Sequence, residues 1–307
     1  MTDYAMCGWR VASELMLPEL PNVPDGAVGT VADLTIRLGV VPPIHGPVHQ
    51  TPLLQIAADG TCRFEIKAVA AYRIDPHGCE VVVEPHMAVN APDIRVFLFS
   101  TVFAILCFRR GLIPLHASVV RIGDKAVAFS GISGAGKSTL AACFHQRGYC
   151  VLSDDVAVID WVDGNPVVRP VVSRLKLWRD MMDGLGIGAG DKERARGQLE
   201  KYHIPLDDFS TTPLPLVTIY HLVEVDDPRH EGMRFFSGVE AFLSLERAVY
   251  RRALGCRLLG QAQIFRQASK IAGAVVSARL ARLKTLSRAA EIVDEIASEI
   301  AQCEPVP

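Results

Sequence analysis

Up to about residue 90 the apolar positions come in short alternating runs, Thr35-Ile-Arg-Leu-Gly, Leu53-Leu-Gln-Ile-Ala and Cys79-Glu-Val-Val-Val-Glu84, cut by turn signals such as Asp59-Gly60. A period of two is what a half-buried strand needs, so a small antiparallel β domain is expected here. Val41-Pro-Pro-Ile-His-Gly-Pro-Val-His49 interrupts the alternation. Proline has no N–H to give to a ladder, so that stretch is expected to be a loop, and His45 and His49, with no third ligand near, read as loop histidines. The longest apolar run follows, Val96 to Phe108, 13 residues between Arg95 and Arg109. It is too short to span a bilayer and predicts a buried helix from about Asp93 to Arg110, stopped by Gly111.

Beyond Gly111 the pattern changes to strands alternating with helices, the mark of an α/β domain. Leu115-His-Ala-Ser-Val-Val-Arg-Ile122 is turned by Gly123-Asp124-Lys125 into Ala126-Val-Ala-Phe-Ser130 as a hairpin. Ser138 to Arg147 reads as a helix stopped by Gly148, and Tyr149-Cys-Val-Leu-Ser-Asp154-Asp155 as a strand ending in two carboxylates. Asp163-Gly-Asn marks a second hairpin turn, and Leu214 to Glu224 returns to a strand. Met181 to Gly197 carries five glycines and mixed charges; it is either a loop that closes over a site or a plain linker. Near the C-terminus Ile264, Phe265, Ala268, Ile271, Ala272 and Val275 recur at helical spacing, so amphipathic helices are expected. The expected division is a β-rich N-terminal domain over 1–110 and an α/β domain with C-terminal helices over 111–307.

The chemistry concentrates at Gly131-Ile-Ser-Gly-Ala-Gly136-Lys137-Ser138, which fills every defined position of G-x-x-x-x-G-K-[ST] between a strand and a helix. Glycines let the backbone turn its N–H groups inward onto phosphate oxygens, and the helix N-terminus adds partial positive charge. The expected phosphate-binding set is Gly131, Ser133, Gly134, Ala135, Gly136, Lys137, Ser138 and Thr139. Lys137 would reach the β/γ-phosphates and Ser138 would ligate Mg²⁺. Asp155 stands 18 residues after Lys137, and neighbouring aspartates on a strand point to opposite faces, so one carboxylate faces the phosphates and the other the loop. His116, 21 residues before Lys137, is either a hydrogen-bonded strand histidine or a member of this site.

His116, the P-loop and the Asp154-Asp155 pair, in this order and at these separations, resemble the catalytic domain of the HPr kinase/phosphorylase family. The resemblance implies a P-loop kinase domain of the HPr kinase type, with ATP and Mg²⁺ as cofactors. It also implies His116, Lys137 and Asp155 as active-site residues, Asp155 accepting the serine proton, and leaves Asp154 with Ser138 as the expected metal pair. The family's Glu-Ile-Arg-Gly-Leu-Gly segment is missing. Arg174-Leu-Lys176-Leu-Trp178 stands nearest to it, and a lysine cannot ligate Mg²⁺. That segment and Arg247-Ala-Val-Tyr-Arg-Arg252-Ala-Leu-Gly resemble the related kinases of peptide-modification clusters, including those for lasso peptides. The implied activity is therefore phosphorylation of a serine on a peptide or small protein, a lasso-type precursor ahead of HPr. A small-molecule kinase and a non-catalytic nucleotide-sensing module are the alternatives.

Composition narrows this further. A net charge of −2 gives no case for nucleic acid, and the eight cysteines and nine histidines show no zinc spacing, so a reduced, cytoplasmic protein is expected, with no membrane partner and self-association left open. Charge is nevertheless uneven: Arg247 to Ala290 holds ten Lys/Arg and no Asp/Glu. This is either a solvated helical face or a source of catalytic cation, through Arg247, Arg251 or Arg252, with an attraction for acidic peptide.

Overall fold

The computed structural model describes residues 1–23, 31–172, 174–188, 194–196, 199–206 and 211–302. Its first sheet has eight strands, in the spatial order Thr2–Met6, Trp9–Ser13, Leu34–Leu38, Glu80–Pro85, Ala70–Ile74, Cys62–Ile66, Leu54–Ile56 and His49–Gln50. Leu34 and Ile36, Val81 and Val83, and Cys62 and Phe64 are buried while the residues between them are not, which is the alternation seen in the sequence. The sheet is not purely antiparallel, however. Leu34–Leu38 runs parallel to both Trp9–Ser13 and Glu80–Pro85. Long connections separate these strands in the chain, and long connections permit parallel pairing, whereas side-chain alternation looks the same in either direction.

The apolar run forms one continuous helix, Pro92–Phe97, a π turn at Leu98–Val102, then Phe103–Arg109. Ile94, Val102 and Ile105 pack under the first sheet, while Ala104 and Phe108 enter the core of the second unit, so the helix is buried all round. A buried ion cluster adds a second tie. The Glu19 carboxylate accepts from Arg95 of this helix (2.8 Å) and from Arg174 (2.5 Å), which opens the Arg174–Trp178 strand.

In the second unit the Lys125–Ser130 strand lies between antiparallel Ala117–Ile122 and parallel Leu214–Glu224. Parallel Val276–Arg282 and the antiparallel edge strand Gly232–Phe235 extend one side. Val151–Ser153 pairs antiparallel with Ala117–Ile122 on the other side and so runs in the direction of Lys125–Ser130. The consequence is geometric: four strands end, and Ala117–Ile122 begins, at one edge of the sheet. That edge therefore collects His116, the loop from Gly131, the Asp154-Asp155 pair and Arg282, the place where open α/β sheets bind ligands.

Helices Lys137–Gln146 and Leu286–Gln302 cover one face, with Leu140 and Phe144 in a core with Ile292, Val293 and Ile296. Gly238–Ala248 and Gln261–Ala274 cover the other through Leu245, Ile264, Ala268 and Ile271. The expectation of helices throughout Arg247 to Ala290 needs correction, because Val276–Arg282 is a strand of the central sheet. Helices on both faces bury it on both sides, which removes the alternation that would have marked it.

His221, on Leu214–Glu224, shares a 2.7 Å hydrogen bond through Nδ1 with Ser130 on the neighbouring strand. Burial pulls its pKa down to about 4. The folded chain thus holds this ring neutral while the unfolded chain protonates it near 6.5, so its contribution is complete above that value and is lost as pH falls toward 4. Between pH 7 and 5 about 2 kcal/mol of stability should disappear on this account. Urea midpoints at the two pH values should show His221→Gln less stable at pH 7 but less acid-sensitive; an unchanged acid slope would remove His221 as its cause.

Candidate active site

Gly131 to Ser138 wrap around the N-terminus of the Lys137–Gln146 helix, with Gly134 at φ 89° and Gly136 at φ 86°. At Gly136 the left-handed φ disfavours a side chain, and a Cβ there would also have to displace the tip of the Arg282 guanidinium. The buried Lys137 ammonium donates to the carbonyls of Gly131 (2.9 Å) and Ile132 (3.0 Å), folded onto its own loop.

The two aspartates sit in different surroundings. Asp154 is buried, and its Oδ1 accepts from Ser138 (2.8 Å) and from Ser118 (2.6 Å), while Oδ2 accepts from the backbone N–H of Lys176 (2.8 Å). Asp155 has φ 78°, a left-handed turn that an aspartate tolerates better than most residues and that swings its side chain into the cavity. Its carbonyl accepts from His116 Nδ1 (3.0 Å), and its Oδ2 takes the Lys176 ammonium (2.8 Å).

Burial, reinforced by the nearby Lys137 charge, lowers the pKa of His116 below its ordinary value. The ring is therefore neutral at neutral pH. A carbonyl can only accept, so the proton is on Nδ1 and Nε2 keeps its lone pair. His116 thus pins the Asp155 turn and is not an imidazolium partner of the Asp155 carboxylate, although Nδ1 and Oδ1 are 3.4 Å apart.

These residues surround a cavity of about 600 Å³, within the range of small-molecule sites. His116, Ser133, Gly134, Gly136, Lys137, Ser138, Thr139 and Asp155 line it. Gly131, Ala135 and Asp154 are not in the lining: Gly131 and Ala135 give carbonyls to Lys137 and Arg282, and Asp154 lies beneath Ser138. Among the described residues no group of three or more His, Cys, Asp or Glu is arranged for a metal. Mg²⁺ does not require one, because it keeps waters and takes phosphate oxygens beside one or two protein oxygens. Ser138 Oγ and the Asp154 carboxylate, hard oxygen donors side by side at the start of the Lys137–Gln146 helix, fit that demand.

The cations at the cavity differ from those expected. Lys176, Arg179, Arg282 and Lys284 line it, and Arg247, Arg251 and Arg252 do not. Arg251 lies over the Tyr250 ring and Arg252 pairs with Glu246 (2.6 Å). Two more cations of the acid-free stretch meet acids from outside it, Lys284 pairing with Glu224 and Arg288 with Glu231, Glu291 and Glu295. Sequence reasoning missed Ser118, whose only signal was its place two residues after His116. It also missed Arg282, concealed in a strand read as helix. Of the glycine-rich segment, Met181 to Gly184 belong to the Arg179–Gly184 helix, and 189–193 with Gly197 lie outside the described residues.

No protein-family model matches the sequence, and no curated protein matches it. Among solved structures the chain is similar to the Hpr(Ser) kinase/phosphatase from Coxiella burnetii, with a TM-score of 0.32 and 12% identity over 61% of this chain and 93% of that one. A likeness of that size leaves the function to the residues themselves. The class they define is a mixed α/β protein with a glycine-rich loop at the start of the Lys137–Gln146 helix, and no helix among the described residues is long and apolar enough to cross a membrane.

Proposed function

We propose that the protein is an ATP-dependent kinase that transfers a phosphoryl group to a serine hydroxyl on a peptide or small protein. The observation that carries this is the division of labour between adjacent carboxylates: Asp154 is bound to the P-loop hydroxyl of Ser138, and Asp155 is turned into the cavity. Mg²⁺ held by Ser138 and Asp154 would neutralise charge on the phosphates. The loop amides and Lys137 hold the phosphates in line. Asp155 takes the hydroxyl proton as the serine oxygen bonds to phosphorus and the bond to the departing ADP oxygen breaks. His116 fixes the Asp155 turn, and Lys176 keeps a positive charge beside the reacting oxygens. Labelled ATP, Mg²⁺ and a serine acceptor test the scheme directly; label on the acceptor supports it, and none with any acceptor class overturns it.

For the acceptor we favour a serine of a ribosomally made precursor peptide of the lasso type over HPr. The support is the resemblance of the Lys176 and Arg247 to Gly255 segments. Docking by strand addition to the first sheet has little room, since residues 21–23 already bond to Thr2–Met6 and the opposite edge strand has two residues. Mass spectrometry after incubation with HPr or with the peptide encoded beside the gene should show the phosphate mass on the peptide. A phosphate on HPr alone would reverse the assignment, and transfer to neither would favour a small-molecule acceptor.

Lys176 gives a second expectation. Its ammonium is 2.8 Å from Asp155 Oδ2, where a metal-binding carboxylate would serve phosphorolysis, so the reaction should run forward only. Phosphorylated product incubated with enzyme, Mg²⁺ and inorganic phosphate should release no pyrophosphate; its release would show another residue in that role.

A further inference from the structure

The phosphate cradle occupies only part of the cavity. His116, Asp155 and Lys176 line it in contact with one another, where the phosphoryl group would leave. Two further segments of the chain form walls. One carries Trp178 and Met181, at the end of the Arg174–Trp178 strand and the start of the Arg179–Gly184 helix. The other is Lys284-Thr285-Leu286, which joins the Val276–Arg282 strand to the last helix. The walls meet where Leu286 packs against Gly184 so closely that a Cβ there would strike it. Arg282 fastens the second wall to the cradle, donating Nη2 to the Ala135 carbonyl and Nη1 to the Leu283 carbonyl, both at 3.1 Å.

Inorganic polyphosphate has no apolar surface, so binding it gives no reason for Trp178, Met181 and Leu286 to share a cavity with Lys137. A nucleotide does give one. With the terminal phosphoryl at Asp155 and the other phosphates along the loop, sugar and base must lie toward the end away from the carboxylates. We infer that the cleft between Trp178–Met181 and Lys284–Leu286 seats the nucleobase of the phosphoryl donor, an assignment that rests on the site being a phosphotransferase. Leu177 is fully buried and Trp178 is 46% exposed, so strand alternation turns Trp178 to the same side as Lys176, where its aromatic ring lines the cavity. Lys284, which also pairs with Glu224, and Thr285 are exposed and bring polar groups to the base edge.

Calorimetry on the full chain with Mg²⁺ and two ligands, non-hydrolysable AMP-PNP and inorganic tripolyphosphate, separates seat from cradle. The wild type should bind the nucleotide about ten-fold or more tightly than tripolyphosphate. Trp178→Ala, at an exposed position where folding is little at risk, and Leu286→Ser should each remove most of that advantage and leave tripolyphosphate affinity unchanged. Lys137→Ala should weaken both ligands. Equal affinities in the wild type, or variants that weaken both ligands alike, would overturn the nucleobase seat and leave the phosphate cradle standing. If neither ligand bound, seat and cradle would both be wrong.

Discussion

Lys137→Ala should lower phosphoryl transfer by roughly a thousand-fold or more while leaving the protein folded, because it removes a buried positive charge where phosphate charge develops. A water molecule that took its place would bring no charge. Alanine is the best helix former and Lys137 is the first residue of its helix, so the backbone should hold. A second readout distinguishes lost charge from lost fold: Lys137 is one cause of the low His116 pKa, so the variant should raise it, as seen by NMR titration. A folded Lys137→Ala protein with full activity in a labelled-ATP assay would remove the basis for any phosphotransferase assignment.

Why some of the site was legible and some not follows from the range of the interactions. The P-loop is written in consecutive residues because its work is local: glycines at φ near 90°, a lysine that folds back, a hydroxyl at the helix start. Asp154 and Asp155 were visible for the same reason. Different roles for the two came from the family resemblance, but their different surroundings were not legible, since those depend on Ser118 and Lys176, which lie 36 and 22 residues from Asp154, and on the sign of φ at Asp155. Alternation identified Leu34–Leu38, Leu54–Ile56 and Glu80–Pro85 of the first sheet but not their direction, because hydrogen-bonded neighbours are invisible to a period of two. Val276–Arg282 was hidden by burial on both faces, and with it Arg282, which meets Ala135 only across 147 residues of chain.

Charge was ambiguous for a related reason. Ten cations without an acid fitted either a solvated face or a face that attracts an acidic chain, and three of them, Arg252, Lys284 and Arg288, pair with acids from outside the stretch. The cations left at the cavity are placed by strand ends, not by the density of arginine in the sequence. The topology that brings five strand termini to one edge is what turns scattered residues into a site.

Asp155→Asn is the sharper test of mechanism and should lower transfer by about a hundred- to ten-thousand-fold, the span lost when a positioned base is removed. Asparagine is the right substitution here because Asp155 has φ 78°, and asparagine accepts the left-handed region better than alanine does. The His116 Nδ1 bond goes to the residue 155 carbonyl, so it should survive the exchange, as should the turn. Lys176 would lose its charged partner at 2.8 Å, although the asparagine oxygen can still accept from its ammonium. In the proposed scheme Mg²⁺ and nucleotide would be held by Ser138, Asp154 and the loop, so AMP-PNP affinity should stay near that of the wild type. Asp154→Asn should behave differently, raising the Mg²⁺ concentration needed for half-maximal rate. Steady-state kinetics across a Mg²⁺ series, with calorimetry for AMP-PNP, separates the two. If Asp155→Asn kept wild-type turnover, proton removal would belong to another group, and the lone pair on His116 Nε2 would be the first candidate.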